Sequence, residues 1–166
     1  MAEALKKRAA TNGGCWKGKF MKMFEYKTPY ASYKDCMLSI SHYTNEPLCM
    51  ALNIYNDIDG PITTVTVNLG HDIGNNSIML WNQAFIDVNN NPNILEWIEE
   101  NDLAEPVIRF GEQVIACSGF CEYPLYVFNE DKLKEFDESG WAQRKEEWVK
   151  HYSEWCEGRK NTYVPF

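Results

Sequence analysis

No apolar run in this 166-residue chain approaches the roughly 20 residues that a transmembrane helix requires, so the sequence predicts none. Metal-site spacing is equally scarce: there is no CxxC, no HxxxH and no HExxH, and the three histidines (His42, His71, His151) are scattered. There is no GxSxG and no complete GxxxxGK[ST] phosphate loop, which argues against the common serine-hydrolase and nucleotide-binding readings. The opening stretch "MAEALKKRAATNGG" has charge but no apolar centre and does not read as a secretory signal. A cytoplasmic setting is expected, in which the six cysteines (Cys15, Cys36, Cys49, Cys117, Cys121, Cys156) serve as reduced structural thiols. No metal, cofactor or catalytic residue is expected.

Bases are also short, at 16 Lys and Arg against 24 Asp and Glu, and they are unevenly placed. Residues 1–27 carry seven Lys or Arg against two Glu, a net +5, which leaves −13 of the total −8 on residues 28–166. Between Asp57 and Glu112 ten acids stand against one base, Arg109. Such a body repels nucleic acid and favours basic partners, so direct nucleic-acid contact is expected only through the basic head. The chain divides into that N-terminal segment, 1–27, and one acidic domain, 28–166. A hydrophobic fraction of 45% and an aromatic fraction of 14% are sufficient for a packed core.

The middle of the chain reads as β. "CMLSISHY" (36–43) alternates, with Leu38 and Ile40 opposite Ser39 and Ser41, the period of a half-buried strand. "LCMALNIYND" (48–57) and "ITTVTVNL" (62–69) follow, joined through Asp59-Gly60, a strong hairpin signal. "IMLWNQAFIDV" and "VIRFGEQVIACSGF" add strand character, and "PLYVF" is a further short strand. The segment "KGKFMKMFEYK" fits either a strand or an irregular cover.

Helices are predicted at "AEALKKRAA", at "NNNPNILEWIEENDLAEP" with Asn91 as N-cap and Pro92 first, and at "NEDKLKEF" capped by Asn129. The last runs over 140–158 and closes at Gly158, with Trp141, Trp148, Tyr152 and Trp155 on one stripe docked on the sheet. The fold class is α+β: an antiparallel β-meander packed by two or three helices.

Chemistry concentrates nowhere obvious. Cys117 and Cys121 stand four apart without the second close pair of a structural zinc site. The acid pairs Glu99–Glu100, Glu130–Asp131, Asp137–Glu138 and Glu146–Glu147 read as solvated helix faces or helix starts. Asp57 and Asp59 flank a turn, where acids are ordinary, although such a pair could also hold a cation.

"TVTVNL" (64–69), "AFIDVNNNP" (84–92), "WIEENDLAEPVIR" (97–109) and "SGFCEYPLYVFN" (118–129) occur in this order. Together they resemble an uncharacterised family of small bacterial proteins carried on plasmids, conjugative elements and prophages. The similarity covers residues 62 to about 136, with "FGEQVIA" standing as an insertion before its last block. It implies a bacterial host and a mobile-element context, and it transfers no activity. It also implies that the block of Ser118, Gly119, Phe120, Cys121, Tyr123, Pro124, Tyr126 and Phe128 is a structural corner, its four rings filling both sides of a short strand.

The reading that joins context with charge is a counter-defence protein: an acidic inhibitor of a CRISPR effector nuclease or a restriction enzyme. Its partner would be a basic nucleic-acid-binding protein such as a Cas nuclease. The contact residues expected are Asp87, Glu96, Glu99, Glu100, Asp102 and Glu105, with Glu146, Glu147 and Glu154 on the last helix as a second surface. The alternative is a ligand-binding module or small enzyme with a pocket near Asp87, Asn89, Asn90, Cys121 and Tyr123. An accessory structural protein of conjugation is also compatible.

Overall fold

The fold is seen in a computed structural model that describes residues 21–74 and 77–162. Four antiparallel strands form a meander in sequential order: β1 (Phe24–Lys27), β2 (Ser32–Tyr43), β3 (Glu46–Asn56) and β4 (Gly60–Thr64). The β3–β4 turn follows from its residues. Asn56 Oδ1 accepts from the backbone N–H groups of Ile58 and Asp59, its Nδ2 donates to Asp59 Oδ2, and Gly60 takes φ +74°. Asp59 is therefore a turn residue whose carboxylate is engaged locally.

The run 62–69 does not continue as one strand. It breaks at Val65 into β4 and β5 (Thr66–Val67), because the chain changes sheets there. Val65 is fully buried; its N–H donates to Leu52 O and its carbonyl accepts from Asp87 N. Beyond it, β5 pairs with β6 (Gln83–Ile86), the ordered part of the strand predicted over 78–88. The helix α1 (Ile94–Glu100) is shorter than expected: "LAEP" leaves it to form β7 (Ala104–Pro106). Then come β8 (Ile108–Arg109), β9 (Glu112–Gln113), β10 (Ile115–Ser118) and β11 (Cys121–Phe128). In the second sheet β11 lies between β6 on one side and β10 followed by β7 on the other, all antiparallel. The segment "FGEQVIA" spans the tip and return of the β8–β9 hairpin and the start of β10.

Alternation sorts the core into two clusters. Leu38, Ile40, Met50, Leu52 and Ile54 of the meander pack with Trp97, Ile98 and Phe128 in the larger one. Cys49, Met79, Phe85 and Leu125 form the smaller. The strands β6 and β11 supply both, so they are covered on both faces.

Asn91 is not the cap of α1. It is buried, its amide donating to Thr64 O and Asp87 O while its Oδ1 accepts from Thr63 Oγ1, so it is tied to the strand switch; Asn93 precedes the helix. Asn129 does cap α2 (Glu130–Phe136), accepting from Asp131 N and Lys132 N at 3.0 and 3.3 Å. The last helix, α3 (Glu138–Thr162), starts two residues before Gly140 and passes through Gly158, where no left-handed cap forms. The predicted N-terminal helix lies outside the described residues.

Two charged side chains dock α3, and neither was anticipated. Asp137, read as a solvated helix-start acid, is 1% exposed. Its Oδ1 accepts from Gly140 N, capping α3, and its Oδ2 accepts from Ile40 N of β2 at 3.0 Å. Two turns on, the buried Arg144 donates through Nε, Nη1 and Nη2 to the carbonyls of Trp81, Pro47 and Leu48 at 3.2, 2.6 and 2.8 Å. Burial lowers its pKa to about 10. Trp141 joins the larger cluster, and the Trp148 indole N–H is buried against the fold without a hydrogen-bond acceptor among the described residues. Farther along, Trp148, Tyr152 and Trp155 stack in succession, with Trp155 edge-on to His71. Among the described residues no helix is long and apolar enough to cross a membrane.

Two substitutions test this docking. A Cβ at Gly140 would stand 2.1 Å from Asp137 Oδ2 and 2.7 Å from Ile40 O. Gly140→Ala should therefore cost about 3 kcal/mol in urea unfolding, despite the higher helix propensity of Ala. Arg144→Met leaves the three carbonyls without their donor and should cost about 3 kcal/mol in the same assay. Arg144→Lys should recover little, because an ammonium lacks the planar fork that reaches all three.

Candidate functional site: an acidic groove

The apolar face of α1 (Ile94, Trp97, Ile98) is buried, which turns Glu96, Glu99 and Glu100 outward. The helix ends in a Schellman motif: Leu103 N–H bonds to Ile98 O and Asp102 N–H to Glu99 O. The left-handed residue this motif needs is Asp102, at φ +48°, where glycine is usual. The motif also buries Leu103 and sends the chain straight into β7 against the end of β11.

Between α1, β7, β11 and the start of α2 lies a groove of about 990 Å³. Leu95, Ile98, Ala104 and Val127 give it an apolar lining, and Glu99, Asp102 and Glu105 place three carboxylates in it. All three acids are exposed, and none has an ion-pair partner among the described residues. The one cation lining the groove, Lys132, also lies 3.7 Å from Glu135. A concave surface with apolar lining and an excess of negative charge suits a cationic guest that has an apolar body.

The other expected contact residues are distributed differently. Glu96 and Glu100 are exposed on α1 but do not line the groove. Asp87 binds Asn90 through both carboxylate oxygens, an Asx turn that ends β6. On α3, Glu147 meets His42 at 2.9 Å and Glu154 meets His151 at 3.2 Å, leaving Glu146 as the exposed member of that trio without such a contact.

The residues of the alternative pocket do come together. Asn89 Nδ2 donates to Glu122 O, fastening the 87–90 turn to β11. The Tyr123 phenol is pushed above its ordinary pKa by desolvation first, then by Cys121 and Asp87 beside it. None of these residues lines the groove.

The block 118–128 is a hairpin followed by a core strand. Gly119 at φ +62° makes the turn, Pro124 and Phe128 are buried, Tyr126 packs on the larger cluster and Tyr123 on the smaller. Phe120 is the exception: it fills neither side and stands fully exposed. In the β10–β11 register Cys117 lies opposite Glu122 and Cys121 opposite Ser118, so the two thiols point to opposite faces and cannot share an ion.

Sequence reasoning missed the groove because it arises where α1 stops and β7 begins. The short spacing from the last apolar helix residue, Ile98, to Leu103 was the available sign.

Neither the curated proteins nor the solved structures compared with the chain contain a match. A family model described as a domain of unknown function (DUF4313) matches residues 37–148, from β2 to the middle of α3, and includes every element around the groove. With about two thirds of its length matched, the chain belongs to that family.

Proposed function

We propose that this chain is a non-enzymatic binding protein of a mobile element, which blocks a basic nucleic-acid-binding effector: a CRISPR effector nuclease or a restriction enzyme. The observation that carries the reading is the groove in which Glu99, Asp102 and Glu105 outnumber the single lining cation, Lys132, and make no ion pair among the described residues. Carboxylates held on a folded surface present to a DNA-binding cleft the charge its Lys and Arg side chains evolved to meet. They speed encounter through long-range attraction and gain specificity where they are desolvated. The net −13 on residues 28–166 extends that field beyond the groove. The mobile-element context comes from the sequence resemblance and supplies the reason for blocking such an enzyme.

The proximity of Asp87, Asn89, Cys121 and Tyr123 favours a second reading, a small-ligand site on the turn beside β11.

The groove is tested by the triple variant Glu99→Lys, Asp102→Gly, Glu105→Lys. Asp102→Gly removes a charge and relieves the left-handed backbone, and the other two residues are exposed, so the melting temperature should hold. DNA cleavage by a guide-loaded Cas nuclease and by a type II restriction endonuclease should be inhibited by the wild type. The triple variant should inhibit at least about tenfold less, and the wild-type affinity should fall as salt rises. Equal inhibition by both proteins would remove the groove from the mechanism, and inhibition of neither enzyme would count against the reading itself.

Thiol labelling separates the second reading. Iodoacetamide should modify exposed Cys117 in the native protein and spare Cys36 and Cys49, whose burial raises their pKa, that of Cys49 to about 12. Mass spectrometry of labelled peptides reads this directly. A metabolite that slows modification of Cys121 would support the ligand site, whereas labelling of Cys121 unchanged across nucleotides and metal ions would oppose it.

A further inference from the structure

Two hairpins leave the edge of the second sheet, and each carries a phenylalanine at its tip. In the first, Val107 and Val114 join at Leu125, Ile108 faces Gln113, Arg109 faces Glu112, and Phe110–Gly111 make the turn. Both turn residues have positive φ, +53° and +82°, the signature of a type I′ turn. Asn or Gly is the ordinary choice at its first position; a bulky residue there is strained. Phe110 accepts that strain and gains nothing within the chain, since its exposure is 97%.

The second hairpin joins Ser118 and Cys121 through Gly119–Phe120, and Phe120 is 109% exposed. The rise of a strand places the two tips no more than about 30 Å apart, because both hairpins start from β11 near Leu125. That is within one protein–protein interface of standard size. Ile108 and Ile115, on the same two hairpins, are about half exposed and widen the apolar surface.

We infer that Phe110 and Phe120 are a pair of anchors that insert into apolar sockets on the basic protein partner. The inference rests on the reading of this chain as a binding protein, and charge chooses the occupant. Exposed Glu112 and Glu122 each lie two residues beyond a tip, while Arg109 turns back to donate to Ile73 O. The Phe120 tip is therefore bordered by an acid, while at the Phe110 tip Arg109 and Glu112 face each other and the net charge of the acidic domain sets the field. An anionic bilayer would meet these carboxylates, and a second copy of the chain would bring another −8 against the first. A protein surface with Lys and Arg around apolar sockets meets both features at once. Aromatic anchors at the ends of rigid hairpins are economical for this purpose, because little ordering is left to do on binding.

The test is the double variant Phe110→Asn, Phe120→Asn, in which both turns receive a residue they accept readily, so its melting temperature should equal or exceed that of the wild type. Binding is measured to the guide-loaded Cas nuclease and the type II restriction endonuclease, with phosphatidylglycerol–phosphatidylcholine vesicles and the chain alone in sedimentation velocity as the other arms. The wild type should bind a nuclease, and the double variant should bind it at least about thirtyfold more weakly while the groove residues remain intact. An affinity within twofold of wild type would overturn the anchors and leave the groove reading standing. Phenylalanine-dependent vesicle binding or self-association would reassign the tips and overturn the inference as well. If the wild type binds neither nuclease, the binding reading and this inference fall together.

Discussion

The Asp137 carboxylate ends up between α2, α3 and β2, and all three depend on where its two oxygens go. One caps α3 through Gly140 N–H; the other takes Ile40 N–H from a meander strand. A carboxylate this deeply buried is tolerable only with charge-assisted hydrogen bonds of this kind. The need for close approach also explains the glycine three residues later, since any side chain at 140 would enter the same space. Arg144 repeats the device on the same helix, its guanidinium spread over three carbonyls at the entrance to β3 and before β6. Helix α3 is thus set on the sheets by directional bonds at two points two turns apart, with its aromatic stripe packing between and beyond them.

That docking matters for the groove, although α3 does not line it. The α2–α3 junction holds α2 beside the meander, and Leu133 and Phe136 of α2 fill the larger core cluster together with Trp97 and Ile98 of α1. Trp97 meets Phe136 at 6.2 Å and Phe24 at 5.2 Å. The walls of the groove, α1 on one side and the start of α2 on the other, are therefore spaced by the aromatic packing beneath them. Loss of the Asp137 clamp would loosen that packing and reach the groove through Ile98 and Phe128, which belong to both.

The meander was legible because its signals are local: period-two alternation over 36–43, and an Asp-Gly turn whose asparagine three residues before the aspartate supplies the bonds. Asn129 was legible for the same reason, since a cap is read within four residues. What escaped depends on residues far apart. Nothing near Asn91 says that its side chain will be taken by Thr63 and Thr64 across the strand switch, so local cap chemistry pointed to the wrong asparagine. Asp137 followed by Glu138 looks like any acidic helix start until Ile40, 97 residues earlier, is placed beside it. The α1–β7 boundary fell inside a stretch rich in helix-favouring residues, where pairing with β11 decided against propensity.

The acids of this chain separate into two populations that a net charge cannot distinguish. Glu46, Glu130, Glu135, Glu147 and Glu154 each have a cationic or histidine partner within 4 Å, and Asp59, Asp87 and Asp137 are engaged in turns or caps. Those carboxylates are engaged locally, by lysines at Glu130 and Glu135 and by histidine or amide donors at the others. Glu99, Asp102 and Glu105 belong to the other population, with exposed Glu96, Glu100, Glu112, Glu122 and Glu146. The first three alone line a surface that is partly apolar and includes a left-handed aspartate. Asp102 in addition occupies a left-handed position that glycine would fill at less cost. The difference between these two groups, rather than the total of −8, is what distinguishes the groove from the rest of the acidic surface.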